Sequence, residues 1–156
     1  MFPISDDNPT RRTSYVTYGL IGLNVLVFLR QLQLDSQQVV SRSGVVLGSA
    51  LDYFLRDWAV VPVQLTAAIA GSRIPHLSGV LNEPPEFLTL VTSQFLHGGW
   101  MHLIGNMLFL WIFGNNVEDK LGRVKFLGFY LTCGVLAALT QWAFSPQSAI
   151  PGLGAS

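Results

Sequence analysis

Three stretches of this chain are nearly free of charge, and two stretches of different texture separate them. Residues 13–29 form the first, 17 residues with no Asp, Glu, Lys or Arg. That is longer than a usual buried strand and sits at the lower limit for crossing a bilayer, with Arg30 placed to snorkel at its end. The second, residues 87–117, is interrupted by Gly98-Gly99. It predicts a helix that starts near Trp100 and has Trp100 and Trp111 near its ends, where the aromatic rings suit an interface. The third, residues 124–144, carries only Lys125 at its edge. At about 1.5 Å per residue its 21 residues reach about 30 Å, one hydrocarbon core.

The reading is therefore an all-α, polytopic membrane helix bundle in a single partial domain, residues 1–156, with spans at about 14–34, 100–117 and 124–144. Between the first two spans the pattern breaks. Pro62, Pro75, Pro84 and Pro85 and scattered charges leave only short apolar patches at 58–63 and 65–70. This predicts a long outer loop, 35–99, with short helices lying at the interface. Residues 118–125, EDKLGRVK, read as a short charged connection, and residues 145–156 as a turn-rich polar segment. Arg11, Arg12, Lys120, Arg123 and Lys125 cluster at the ends of the spans on one side. The positive-inside rule then puts the amino terminus in the cytoplasm and the long loop outside. No small-residue cleavage site follows the first run, so it reads as an uncleaved span.

Composition supports a membrane setting. Half of the residues are hydrophobic and 12% are charged, against about 25% charged in a soluble domain. Mean hydropathy is +0.43. Nine basic and nine acidic residues cancel, so bulk charge gives no argument for a nucleic-acid partner. The single cysteine, Cys133, excludes a disulfide framework and a cysteine-based zinc site.

Polar side chains in a span need a partner or a wet cavity. The second span has His102 and Asn106 four residues apart, on one helical face, with His97 five residues earlier beside the Gly-Gly break. From the pair alone, hydrogen-bonded glue between helices is as good an explanation as chemistry. A haem or metal site is weaker, because no carboxylate lies near and the H-E-x-x-H spacing is absent. The terminal GLGAS is a second clue: glycines allow close backbone approach, and Ser156 can head a helix whose N–H groups suit an oxyanion. Taken alone, it reads better as a glycine-rich turn capped by an N-cap serine.

Taken together, FLHGGWMHLIGNMLFLWIFGNNVED, a span, and GLGAS resemble the rhomboid family of intramembrane serine proteases. The shared pattern is His-x-x-x-Asn in the second span, an acidic residue after it, and Gly-x-Ser after the third. The resemblance implies three of about six spans. It gives Ser156 as nucleophile, with Gly154 as the motif's glycine. His102 and Asn106 then line the oxyanion hole with the serine N–H, and His97 lies near the active-site rim. It implies no metal or organic cofactor, and membrane-protein substrates in the lipid bilayer. In the family the general base is a histidine of the sixth span, so the sequence resembles an amino-terminal half cut at the nucleophile. By itself such a chain is expected to be inactive. Leu88-Thr89 stand where many members carry Trp-Arg. The rival reading is a non-catalytic, rhomboid-like protein that binds membrane clients. Short connections favour a bacterial inner membrane, and no oligomeric state is legible.

Overall fold

The computed structural model describes residues 13–72 and 85–154. Three long helices dominate: α1 (Tyr15–Asp35), α5 (Trp100–Leu121) and α6 (Arg123–Phe144). Between α1 and α5 lie a β-hairpin, β1 (Gln38–Val40) with β2 (Val46–Ser49), and three short helices, α2 (Ala50–Trp58), α3 (Pro62–Ile69) and α4 (Glu86–Thr92). A 3-10 turn, Ser93–Phe95, follows α4.

Local chemistry starts several of these elements. Ser49 caps α2 in a reciprocal box: its Oγ accepts from the Asp52 N–H at 3.2 Å, and the Asp52 carboxylate accepts from the Ser49 N–H at 3.1 Å. Pro62 opens α3 at a position where a missing N–H costs nothing. The hairpin was not foreseen. It turns through Gly44 at φ +81°, and its register shifts between Val39 and Val40. Strands of three and four residues are too short to show an alternating pattern.

The 118–125 connection needs correcting. Glu118, Lys120, Leu121, Arg123 and Lys125 are good helix formers, so α5 runs on to Leu121 and α6 starts at Arg123. Only Gly122 lies between them. Its φ of +79° suits glycine and redirects the chain, while its N–H still bonds the Glu118 carbonyl at 2.8 Å.

α1 and α5 pack antiparallel, and both ends of the contact are visible. Tyr18 stacks obliquely on Trp111, with 5.6 Å between ring centroids, and Phe28 meets Trp100 edge-on at 5.0 Å. Near the α1 start, a Cβ on Gly114 would come within 3.0 Å of Thr17, so glycine allows the close approach. α6 packs against α5 and α4.

α1 and α6 are each long and apolar enough to cross a membrane, and their apolar windows are only 28% and 11% buried. A core helix of a water-soluble protein would be mostly covered. Here Leu26, Leu29, Val124, Phe129 and Leu136 point outward. α5 matches them in length at 22 residues but carries His102, Asn106, Asn115, Asn116 and Glu118. Among the described residues, two helices therefore meet both criteria.

The inward face of α1 is polar at regular intervals. Thr17, Asn24 and Gln31, spaced by seven, are all buried, along with Leu20, Phe28 and Leu34. Thr17 meets Glu118, itself only 3% exposed. The Glu118 carboxylate accepts from Val16 N–H (3.1 Å), Thr17 N–H (2.8 Å) and Thr17 Oγ (2.8 Å). A side chain of α5 thus caps α1, whose own N-cap Ser14 makes no side-chain cap bond.

Candidate functional site

The site lies at the end of the bundle where α5 begins. The chain leaves the 3-10 turn in extended form at Leu96 and passes through His97, Gly98 and Gly99 before α5 starts at Trp100. His102 and Asn106 occupy successive turns of α5 and are half-buried. His97, which the resemblance implied at a rim, is buried, with 3% of its surface exposed.

Hydrogen bonds define the rings. Asn106 Nδ2 donates to His97 Nε2 at 3.2 Å, and His97 Nδ1–H donates to the Phe95 carbonyl at 3.3 Å. His97 is therefore neutral with its proton on Nδ1. Burial, and secondarily the neighbouring His102, push its pKa below 6.5, against the opposing pull of the Phe95 carbonyl. The Gly98 N–H reaches His102 Nδ1 at 3.4 Å, which leaves the His102 proton on Nε2. The two imidazoles meet edge-to-face at 5.1 Å.

A third segment completes the site from far along the chain. After α6, the backbone returns past the start of α3 to the end of α4. Val63 N–H bonds the Ser148 carbonyl at 3.0 Å, Gly152 N–H bonds the Val60 carbonyl at 2.7 Å, and Gly154 N–H bonds the Ser93 carbonyl at 2.9 Å. Trp142 adds an Nε1–H bond to Thr66 Oγ at 2.9 Å. These ties bring Gly154 against the α5 face. A Cβ there would sit 2.7 Å from His102 Cε1, 2.8 Å from His102 Nε2 and 3.5 Å from Asn106 Nδ2. Only glycine fits, both for space and for its φ of +82°.

The structure thus brings together His97, His102, Asn106 and Gly154. Ser156 lies outside the described residues, as do Arg11 and Arg12, on which much of the orientation argument rests. A cleft of about 270 Å³ beside the group is lined by Gln94, His97, Asn106, Met107 and Tyr130, among others. The arrangement sets two polar side chains of α5, His102 and Asn106, against a closely held backbone at Gly154.

Two site residues escaped the sequence reading. Gln94, 1% exposed, donates from Nε2 to the Leu90 and Leu131 carbonyls (3.0 and 3.2 Å) and fills the notch at Gly134, where a Cβ would overlap it. Gln31 binds the His97 backbone twice. The seven-residue spacing of Thr17, Asn24 and Gln31 in an otherwise apolar run was the signal for the second.

A bundle of long apolar helices with a polar, donor-rich site at one end defines a helical membrane protein. The rhomboid domain family matches residues 84–156, which include every residue of this group. The chain is 40% identical over 72 residues to the Rhomboid-like protein 11, chloroplastic, of Arabidopsis thaliana, covering 46% of this chain and 25% of that protein. It is 39% identical over 71 residues to the Rhomboid protease GluP of Bacillus subtilis, covering 46% and 13%. It is 30% identical over 124 residues to the mouse Presenilin-associated rhomboid-like protein, mitochondrial, covering 78% and 30%. Residues 84–156 carry the rhomboid match, and these similarities support membership of the rhomboid family. It spans less than a third of the length of each of these relatives. No solved structure matches it.

Proposed function

We propose that this chain supplies the nucleophile and the oxyanion-binding wall of an intramembrane serine endopeptidase acting on membrane-protein substrates. The observation that carries this reading is the close fit of Gly154 against His102 Nε2 and Asn106 Nδ2. That fit sets Gly154, the first residue of the Gly-x-Ser motif, beside two side-chain nitrogens of α5.

In this reading Ser156 Oγ attacks the scissile carbonyl carbon and gives its proton to a histidine general base, the role the family resemblance implies. The carbonyl oxygen takes the negative charge and accepts from His102 Nε2–H, Asn106 Nδ2–H and the Ser156 N–H. Collapse expels the amine, and water then hydrolyses the acyl-enzyme. His97 acts behind the wall by holding Asn106. The bilayer places the substrate, and the half-buried face of α5 supplies the wet cavity this chemistry needs.

The test uses a fluorophosphonate probe on the natural gene product in membranes. Labelling is expected and should vanish in Ser156→Ala. Substituting His102 or Asn106 by alanine should lower cleavage of a single-span substrate by about 100- to 1,000-fold. Wild-type protein that takes no label yet captures membrane clients would instead establish the client-binding reading.

A further inference from the structure

The turn that carries His97 has a structural problem. Its peptide N–H and carbonyl belong to neither the 3-10 turn nor α5, and the residue is buried. Unpaired backbone groups in such a place cost free energy comparable to a lost hydrogen bond. One side chain solves both. Gln31 of α1, 66 residues earlier, accepts from the His97 N–H through Oε1 at 3.0 Å and donates from Nε2 to the His97 carbonyl at 3.0 Å. Gln31 is itself 3% exposed. An amide side chain pairing both ways with one residue's backbone fixes position and orientation together, as a neighbouring strand would.

What Gln31 fixes does not stop at the backbone. With its peptide held, His97 turns Nδ1–H to Phe95 and Nε2 to Asn106. Asn106 then has one amide hydrogen committed to His97, which sets the plane of its carboxamide and the direction of its other N–H. That amide lies beside the backbone of Gly154. We infer that Gln31 is a positioning residue for the oxyanion site, acting through His97 to aim Asn106. Gln31 touches no substrate atom, and the inference rests on the proposed role of Asn106. A displacement of about 1 Å at a reacting centre costs on the order of 100-fold in rate, so a hold of this kind has catalytic consequences.

The test compares wild-type protein with Gln31→Leu, which keeps bulk but removes both bonds. Two readouts are taken on the natural gene product in nanodiscs. Ring 15N shifts of His97 report the tautomer. They should show a single neutral Nδ1–H form in wild type and an exchanging mixture in Gln31→Leu. For cleavage of a single-span substrate, kcat should fall by about 10- to 100-fold with KM unchanged. Unaltered His97 shifts and an unaltered kcat in Gln31→Leu would overturn the inference. If wild type neither cleaves nor takes the fluorophosphonate label, the protease reading fails by itself, while the His97 shifts still decide whether Gln31 sets the ring. If Gln31→Leu does not insert, hydrogen exchange on wild type decides. The His97 amide should be strongly protected, and exchange as fast as in exposed loop amides would refute the bridge.

Discussion

At the scale of single residues, the site depends on which atom of each ring carries the proton. His97 must be neutral to accept from Asn106, and its buried position favours the neutral form. Because its pKa is lowered on folding, the unfolded chain binds a proton more readily between the folded value and about 6.5. Stability from this group is therefore fully present above about pH 6.5 and is lost as the pH falls through the folded value. We expect the melting temperature in micelles to drop over that window, and His97→Asn to flatten the drop. A melting profile identical in the two proteins would count against the buried neutral imidazole. His102 and Asn106 were legible from their four-residue spacing, since one helical face follows from the period alone. Gln31 was harder to find. Nothing in its neighbours shows that its partner is a backbone 66 residues away.

At the scale of elements, the long helices follow from lipid-length apolar runs, and what joins them follows from glycine. The charges of residues 118–125 read as a loop, yet Glu118, Asp119 and Lys120 all lie inside α5, and Gly122 alone makes the turn. Glu118 also does more than mark a boundary. Its carboxylate receives two backbone N–H groups and one hydroxyl at the start of α1, where the helix dipole favours negative charge. Glu118→Gln keeps the shape but turns amide hydrogens toward those donors. It should lower stability by about 1–3 kcal/mol, read from unfolding titrations in mixed micelles, with faster hydrogen exchange at Val16 and Thr17. An unchanged unfolding midpoint would show that the cap contributes little. The hairpin stayed hidden because short strands held by a turn and one bulge leave no periodic trace.

At the scale of the whole molecule, three segments far apart in sequence meet at one end of the bundle: the end of α1, the turn before α5, and the return after α6. The Glu118 end of α5 is the opposite end, beside the start of α1. If α1, α5 and α6 all cross the bilayer, Ser43→Cys in the hairpin and Lys120→Cys should react with a membrane-impermeant maleimide from opposite sides. Both would be made in a Cys133→Ser background. Reaction of both from one side would rule out this arrangement. The positive-inside argument further expects Lys120→Cys to be the cytoplasmic one.

The sequence by itself determined that there would be long apolar helices, that Gly98-Gly99 would precede α5, and that two polar side chains would share a face of that helix. Those are consequences of local period and of hydrocarbon thickness, which neighbouring residues set. Only the tertiary structure decided how the buried polar groups are satisfied. Gln31 meets the backbone of His97, Glu118 meets the start of α1, and Gly154 is drawn against His102 by bonds to Val60 and Ser93. Those pairings depend on how the helices are aligned on one another, and the packing of the whole chain sets that alignment.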